Sequence, residues 1–293
     1  MKDAARLAAY FIAIVLGGAL LAPILFWSAQ TLAAHGVFPF LAKYRFATFF
    51  HRAILIAAVL LLWPLLRLSN VRALADLGLA PNPHSARDIG YGILLSVIPL
   101  LCCGALLIKA HAYSFRHVLV WSRLGTVLLA AISVPFIEET FFRGIVLGLL
   151  LRTGRKLFSI VAVSGVFAAV HFLKGSEREP AIVTWTSGFQ SFGDAFAGFG
   201  DLMMVLAAFV TLFLIGCILA DARVLTRSLW LPIGLHAGWI FASGTFTWVA
   251  RRQMVALPWL GKNLLIGIIP LGLAAITWIV MRLWLKHDRA AKI

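Results

Sequence analysis

Two adjacent carboxylates and an arginine interrupt an otherwise uncharged stretch of this chain. They are Glu138, Glu139 and Arg143, in Ser133-Val134-Pro135-Phe136-Ile137-Glu138-Glu139-Thr140-Phe141-Phe142-Arg143-Gly144. No charge lies between Leu124 and Ile137, nor between Gly144 and Leu151. An ionisable side chain at mid-membrane depth costs roughly 2.5–3.5 kcal/mol, so three within six residues need a reason. On a helix, Glu139 and Arg143 stand at i and i+4 with the acid first, the better orientation for an ion pair. Glu138 is turned about 100° away and is left for chemistry. The plainer alternative is a paired patch that only packs one helix against another.

Two histidines extend the set. His171 closes Phe167-Ala168-Ala169-Val170-His171-Phe172, and His236 lies in Leu231-Pro232-Ile233-Gly234-Leu235-His236-Ala237-Gly238-Trp239-Ile240. Counted from the basic connector Arg152–Lys156, Glu138 and His171 come to similar depth on antiparallel helices, about 21 Å along each. Polar groups in lipid face one another or a water-filled cavity. A carboxylate facing an imidazole across a water is general-base chemistry: Glu138 takes the proton and His171 orients or shares the water. Arg143 fixes Glu139, and His236 is available to donate to a developing oxyanion. Glu138, His171 and His236 also make a possible zinc shell. The helical His-Glu-x-x-His pattern is absent and Arg143 is a nearby cation, so metal-free activation with no cofactor is favoured and zinc is the alternative.

The elements that must position these groups are membrane helices. Of 293 residues, 62% are hydrophobic and 13% charged, against about 25% charged in soluble domains. The net charge of +15 is spread between apolar runs, which fits membrane flanks better than a nucleic-acid partner, and none is expected. Cys102, Cys103 and Cys217 fall inside apolar runs and read as small core residues. The fold class expected is all-α: a polytopic membrane bundle of about eight helices, over 7–32, 46–66, 89–108, 124–151, 157–173, 202–220, 228–249 and 263–285. Pro135 predicts a kink or loosened turn beside the carboxylates, and Gly144 with Gly148 predicts close helix approach.

The connector 67–88 is turn-prone around a short apolar stretch, Leu74 to Leu79. In 174–201, Phe189, Phe192, Phe196 and Phe199 form a helical stripe, read as an element resting in the membrane interface. The chain divides into three regions: N-terminal spans 1–123, a core 124–249, and a last span with a basic tail, 250–293. The side holding both termini carries more Lys and Arg, which predicts cytoplasmic termini in the plasma (inner) membrane.

Glu138-Glu139-x-x-x-Arg143, Phe167-x-x-x-His171 and His236-Ala237, in this order over residues 124–245, resemble the three signatures of the CPBP family. These are the CAAX-processing and bacteriocin-processing intramembrane endopeptidases, also called Abi proteins. The resemblance implies that Glu138 and His171 activate water, Glu139 and Arg143 support them, and His236 serves the oxyanion. It implies a membrane-associated peptide or protein substrate. Ile240 departs from the family's usual His-x-x-x-Asn and cannot donate a hydrogen bond, so either another donor substitutes or activity is altered. Two other functions fit the polar set, a catalytically weak or inactive scaffold or immunity protein and a proton-coupled transporter. The paired broken spans of many transporters are not visible in the sequence.

Overall fold

The structure, a computed structural model, describes residues 2–172, 180–197, 202–254, 258–261, 264 and 266–290. Apolar runs become helices: α1 (Lys2–Ala34), α2 (Phe46–Leu68), the single turn α3 (Leu74–Leu77) and α4 (Ser85–Lys109). After β1 (Tyr113–Phe115) come α5 (Trp121–Glu139), α6 (Leu147–Leu151) and α7 (Lys156–Val170). The remaining elements are α8 (Ser187–Ala197), α9 (Leu202–Thr226), α10 (Trp230–Val249), β2 (Ala250–Arg252) and α11 (Ile268–Ala290). Among the described residues six helices are long and apolar enough to cross a membrane: α1, α2, α4, the α5–α6 run, α9 and α11. The protein is an integral, multi-pass helical bundle. The expected eight also counts α7, which has 15 residues, and α10, which is not among the six.

Contacts group the chain into two units, Met1–Arg72 with Ala169–Gly200 and Ala73–Ala168 with Asp201–Ile293. This division differs from the three sequential regions. In it α3, α4 and α11 share a unit with the expected core, and the boundary falls inside α7.

In the first unit, Ala22 of α1 and Phe46, Phe50 and Ala53 of α2 form a buried cluster. Val183 and Phe192 pack against that cluster, and the small Gly188 lets α8 press onto the α1 backbone at Ala19. The phenylalanine stripe is therefore not simply a surface resting on lipid: Phe192 belongs to a packed core, while Phe189 is exposed. Phe199, the Phe196 side chain and residues 173–179 and 198–201 lie outside the described residues.

The second unit is built on α4 against α10 and α10 against α5. Lipid supplies no hydrophobic drive between helices, so small residues that let backbones touch do much of the work. A Cβ on Gly92 of α4 would lie 2.6 Å from the Leu235 amide nitrogen, and one on Gly234 or Gly238 of α10 would run into Ile89 or Ser96 of α4. Of the close approaches expected at Gly144 and Gly148, the first is present, a Cβ at Gly144 lying 3.3 Å from the Leu77 carbonyl oxygen, and the tightest are at Gly234 and Gly238. A Cβ at Gly148 would meet nothing within 4 Å.

Helices α5 and α10 run antiparallel. Glu139 lies beside His236, Val127 beside Gly244, and Trp121 packs edge-on against Trp248 at 5.1 Å. Pro135 is buried inside α5, which continues through it to Glu139. The irregularity comes just after the carboxylates, where Thr140–Val146 is a π-helical segment. Such a segment fits an extra residue into the turn, so the helix beyond it is rotated by about 100° relative to a regular α-helix.

Candidate active site

The site is assembled where the end of α5 meets the start of α10. Glu139 and Arg143 are both 0% exposed, a burial that each tolerates only with a partner. Arg143 Nη1 donates to Glu139 Oε1 at 2.9 Å, and Nη2 donates to the Gly216 carbonyl of α9 at 3.3 Å. Gly216 can present that carbonyl because α9 runs close to α7 there, a Cβ at 216 lying 2.9 Å from Ser164 Cβ. The remaining face of the guanidinium lies over the Phe167 ring, 4.2 Å from its centroid, a cation–π contact that gains strength from the absence of water. Phe142 meets Phe167 edge-to-face at 5.3 Å.

His236 links the two acids. Its Nδ1–H donates to the same Glu139 Oε1 at 2.7 Å, and its Nε2 stands 3.9 Å from Glu138 Oε2. With Nδ1 engaged, the ring is fixed in orientation and Nε2 is the atom turned toward Glu138. The ring also meets Phe167 edge-on, 6.1 Å between centroids. The Glu138 side chain is 28% exposed, whereas that of Glu139 is fully buried. One carboxylate thus holds an arginine and a histidine through a single oxygen, and its neighbour's side chain is partly exposed although the oxygen turned to His236 is buried. The 3.9 Å gap is too long for a direct hydrogen bond and suits a bridging oxygen.

Glu138, Glu139, Arg143, Phe167 and His236 are brought together in the second unit. Ile240 lies one turn beyond His236, half-buried, and lines a cleft between α5 and α10. His171 comes directly after α7 and belongs to the first unit. Sequence reasoning did not foresee the bond between Glu139 and His236, nor the parts of Phe142 and Gly216. The Gly234-x-x-x-Gly238 spacing around His236 was a readable sign that this stretch meets another helix closely. Nothing in the sequence marks the Gly216 carbonyl.

Among the described residues no group of three His, Cys, Asp or Glu side chains is disposed to hold a metal ion. Within the second unit, His236 Nδ1 is already spent on Glu139, which also carries Arg143.

No curated protein and no solved structure matches the chain. Residues 120–242 match the family model described as type II CAAX prenyl endopeptidase Rce1-like, so over the stretch that holds all three polar motifs the chain carries that family's pattern, and the resemblance read from the motifs is borne out.

Proposed function

We propose that this protein is an intramembrane endopeptidase of the CAAX prenyl protease type, cleaving a peptide bond in or next to the membrane with an activated water. The observation that carries this reading is the His236 ring, held through Nδ1 by Glu139 and turned through Nε2 toward a second, partly exposed carboxylate. Glu138 takes a proton from water and the hydroxide adds to the scissile carbonyl. When the carbon–nitrogen bond breaks, Glu138 returns that proton to the leaving amine. His236, carrying a proton on Nε2, donates to the oxyanion that develops between those steps. The role of His171, sharing the water with Glu138, rests on the family resemblance alone. Arg143 and Phe167 touch no reacting atom in this scheme; they hold Glu139, which holds His236.

The implied substrate class is a membrane-associated peptide or protein, a lipidated CAAX C-terminus being the first to try. The excess of Lys and Arg on the side of the termini supports cytoplasmic termini in the inner membrane. The test is the full chain reconstituted in vesicles with a lipidated CAAX peptide, its products identified by mass spectrometry. Wild type should release the C-terminal fragment, and Glu138→Gln should slow release by 10²-fold or more, in the range for loss of a general base (about 10²–10⁴). Equal cleavage by both proteins would remove Glu138 from the mechanism. Proton flux without cleavage, abolished in Glu138→Gln, would make the protein a transporter instead.

A further inference from the structure

At the opposite end of the α5–α10 pair from the carboxylates lies a cleft of about 480 Å³. Arg123, Thr126 and Ala130 of α5 line one wall, and Ile240, Thr247 and Trp248 of α10 the other. Its walls are apolar in effect, because the hydroxyls there are turned back on their own helices. Thr126 donates to the Ser122 carbonyl, Ser243 to Trp239 and Thr247 to Ser243. Gly244 lets α5 approach along the cleft, since a Cβ there would lie 2.8 Å from Val127 Cγ1. From Arg123 to Ala130 the cleft runs along about 10 Å of helix.

The mouth is basic. Arg123 is exposed on its rim. Arg116 bridges to the end of α10, its Nε donating to the Thr247 carbonyl and its backbone nitrogen to the Val249 carbonyl. The β1–β2 pairing places Arg251 and Arg252 opposite Ser114 and Tyr113 at this same end. No Asp or Glu occurs between Asp88 and Glu138 or between Asp221 and Asp288, so the segments that build the mouth bring no acid of their own. Trp121 and Trp248 meet edge-on there, and Trp248 Nε1 donates to the Val120 carbonyl, the amphipathic anchoring expected at headgroup depth.

We propose that this cleft is a binding site for an anionic phospholipid, its headgroup phosphate on Arg123 and the neighbouring arginine rim and one acyl chain along the apolar walls toward Ile240. Charge selects the occupant: a zwitterionic lipid offers the same chain but no net charge to a rim without acids. The site stands whether or not the chain cleaves peptides. Its deep end lies one helical turn from His236, so an occupant would neighbour the candidate active site without touching the two carboxylates.

The test uses the full chain, stripped of lipid in detergent and re-exposed to phosphatidylglycerol, phosphatidylcholine, oleate or glycerol phosphate, with retained molecules counted by native mass spectrometry. Wild type should keep one phosphatidylglycerol in preference to phosphatidylcholine and should not keep glycerol phosphate, which lacks a chain. Arg123→Gln should cut the preference about fivefold, as expected for one basic group near a phosphate. Ala130→Phe, which fills the cleft, should remove retention of both phospholipids at unchanged melting temperature. If Ala130→Phe does not fold, Thr126→Leu, on an exposed position of the same wall, takes its place. An equal hold on both phospholipids, a preference untouched by the rim and wall variants, retention of glycerol phosphate by wild type, or oleate bound as well as phosphatidylglycerol would each overturn the proposal.

Discussion

Two buried acid clusters in the second unit are built differently. Asp221 on α9 is 2% exposed and both of its oxygens are taken: Trp278 Nε1 and Arg282 Nε donate to Oδ2 at 2.8 and 2.7 Å, and Arg282 Nη2 to Oδ1 at 3.0 Å. All three donors come from α11, so the cluster clasps α9 to α11 and has nothing left to offer. At the end of α5, Glu139 gathers Arg143 and His236 onto one oxygen, and the histidine turns its other nitrogen to Glu138. A satisfied acid can only brace. An acid that aims an imidazole at a second, partly exposed carboxylate can move a proton. Burial alone does not separate these cases; the destination of the last nitrogen does.

The comparison breaks or sharpens under substitution. The largest effect expected is Glu138→Gln, a loss of cleavage of 10²-fold or more with thermal unfolding essentially unchanged. His171→Ala should be as damaging, and the double variant little worse than either, because groups that act as one unit are not additive. Additive losses in the cleavage assay would mean that His171 does not share the water with Glu138. Next, Glu139→Gln or Arg143→Gln strands a fully buried charge and should lower stability by about 3–5 kcal/mol, read as a depressed unfolding temperature in detergent.

Asp221→Asn should cost less, about 1–3 kcal/mol, because Arg282 is partly exposed and can find water; turnover per folded molecule should stay the same. If Asp221→Asn kills cleavage and leaves stability intact, the distinction between brace and site fails. Ile240→Asn should raise cleavage only a few-fold, since a retrofitted donor falls far short of the 10²–10³ of a preorganised one. The smallest expected effect is none at all: a chelator should leave cleavage unchanged, and inactivation reversed by zinc would replace the water chemistry proposed above.

Much of this was legible in the sequence because membrane helices declare themselves by length and apolarity, and charges among them stand out. The Glu139–Arg143 spacing pointed to a pair because i and i+4 share a helix face. Other features were hidden for physical reasons. A π-helical segment arises when backbone hydrogen bonds shift by one residue, and the sequence TFFRGIV carries no signal for it. Pro135 suggested a kink or loosened turn beside the carboxylates; α5 continues through it to Glu139 and the π-helical segment follows directly. The His236–Glu139 bond joins residues 97 positions apart, a distance no periodicity reaches. Gly144 and Gly148 looked like one contact motif, yet only Gly144 meets a neighbour and the closest approaches fall at Gly234 and Gly238, because spacing shows which residues share a face and not which face meets a neighbour.

The central claim is that the two adjacent carboxylates divide the work, Glu139 holding the site and Glu138 performing the chemistry. The most direct test measures unfolding temperature and cleavage on the same reconstituted preparations of Glu138→Gln and Glu139→Gln. The account predicts a native unfolding temperature with cleavage lost for Glu138→Gln, and a clearly lowered unfolding temperature for Glu139→Gln. The reverse, an unstable Glu138→Gln and a stable but inactive Glu139→Gln, would contradict it.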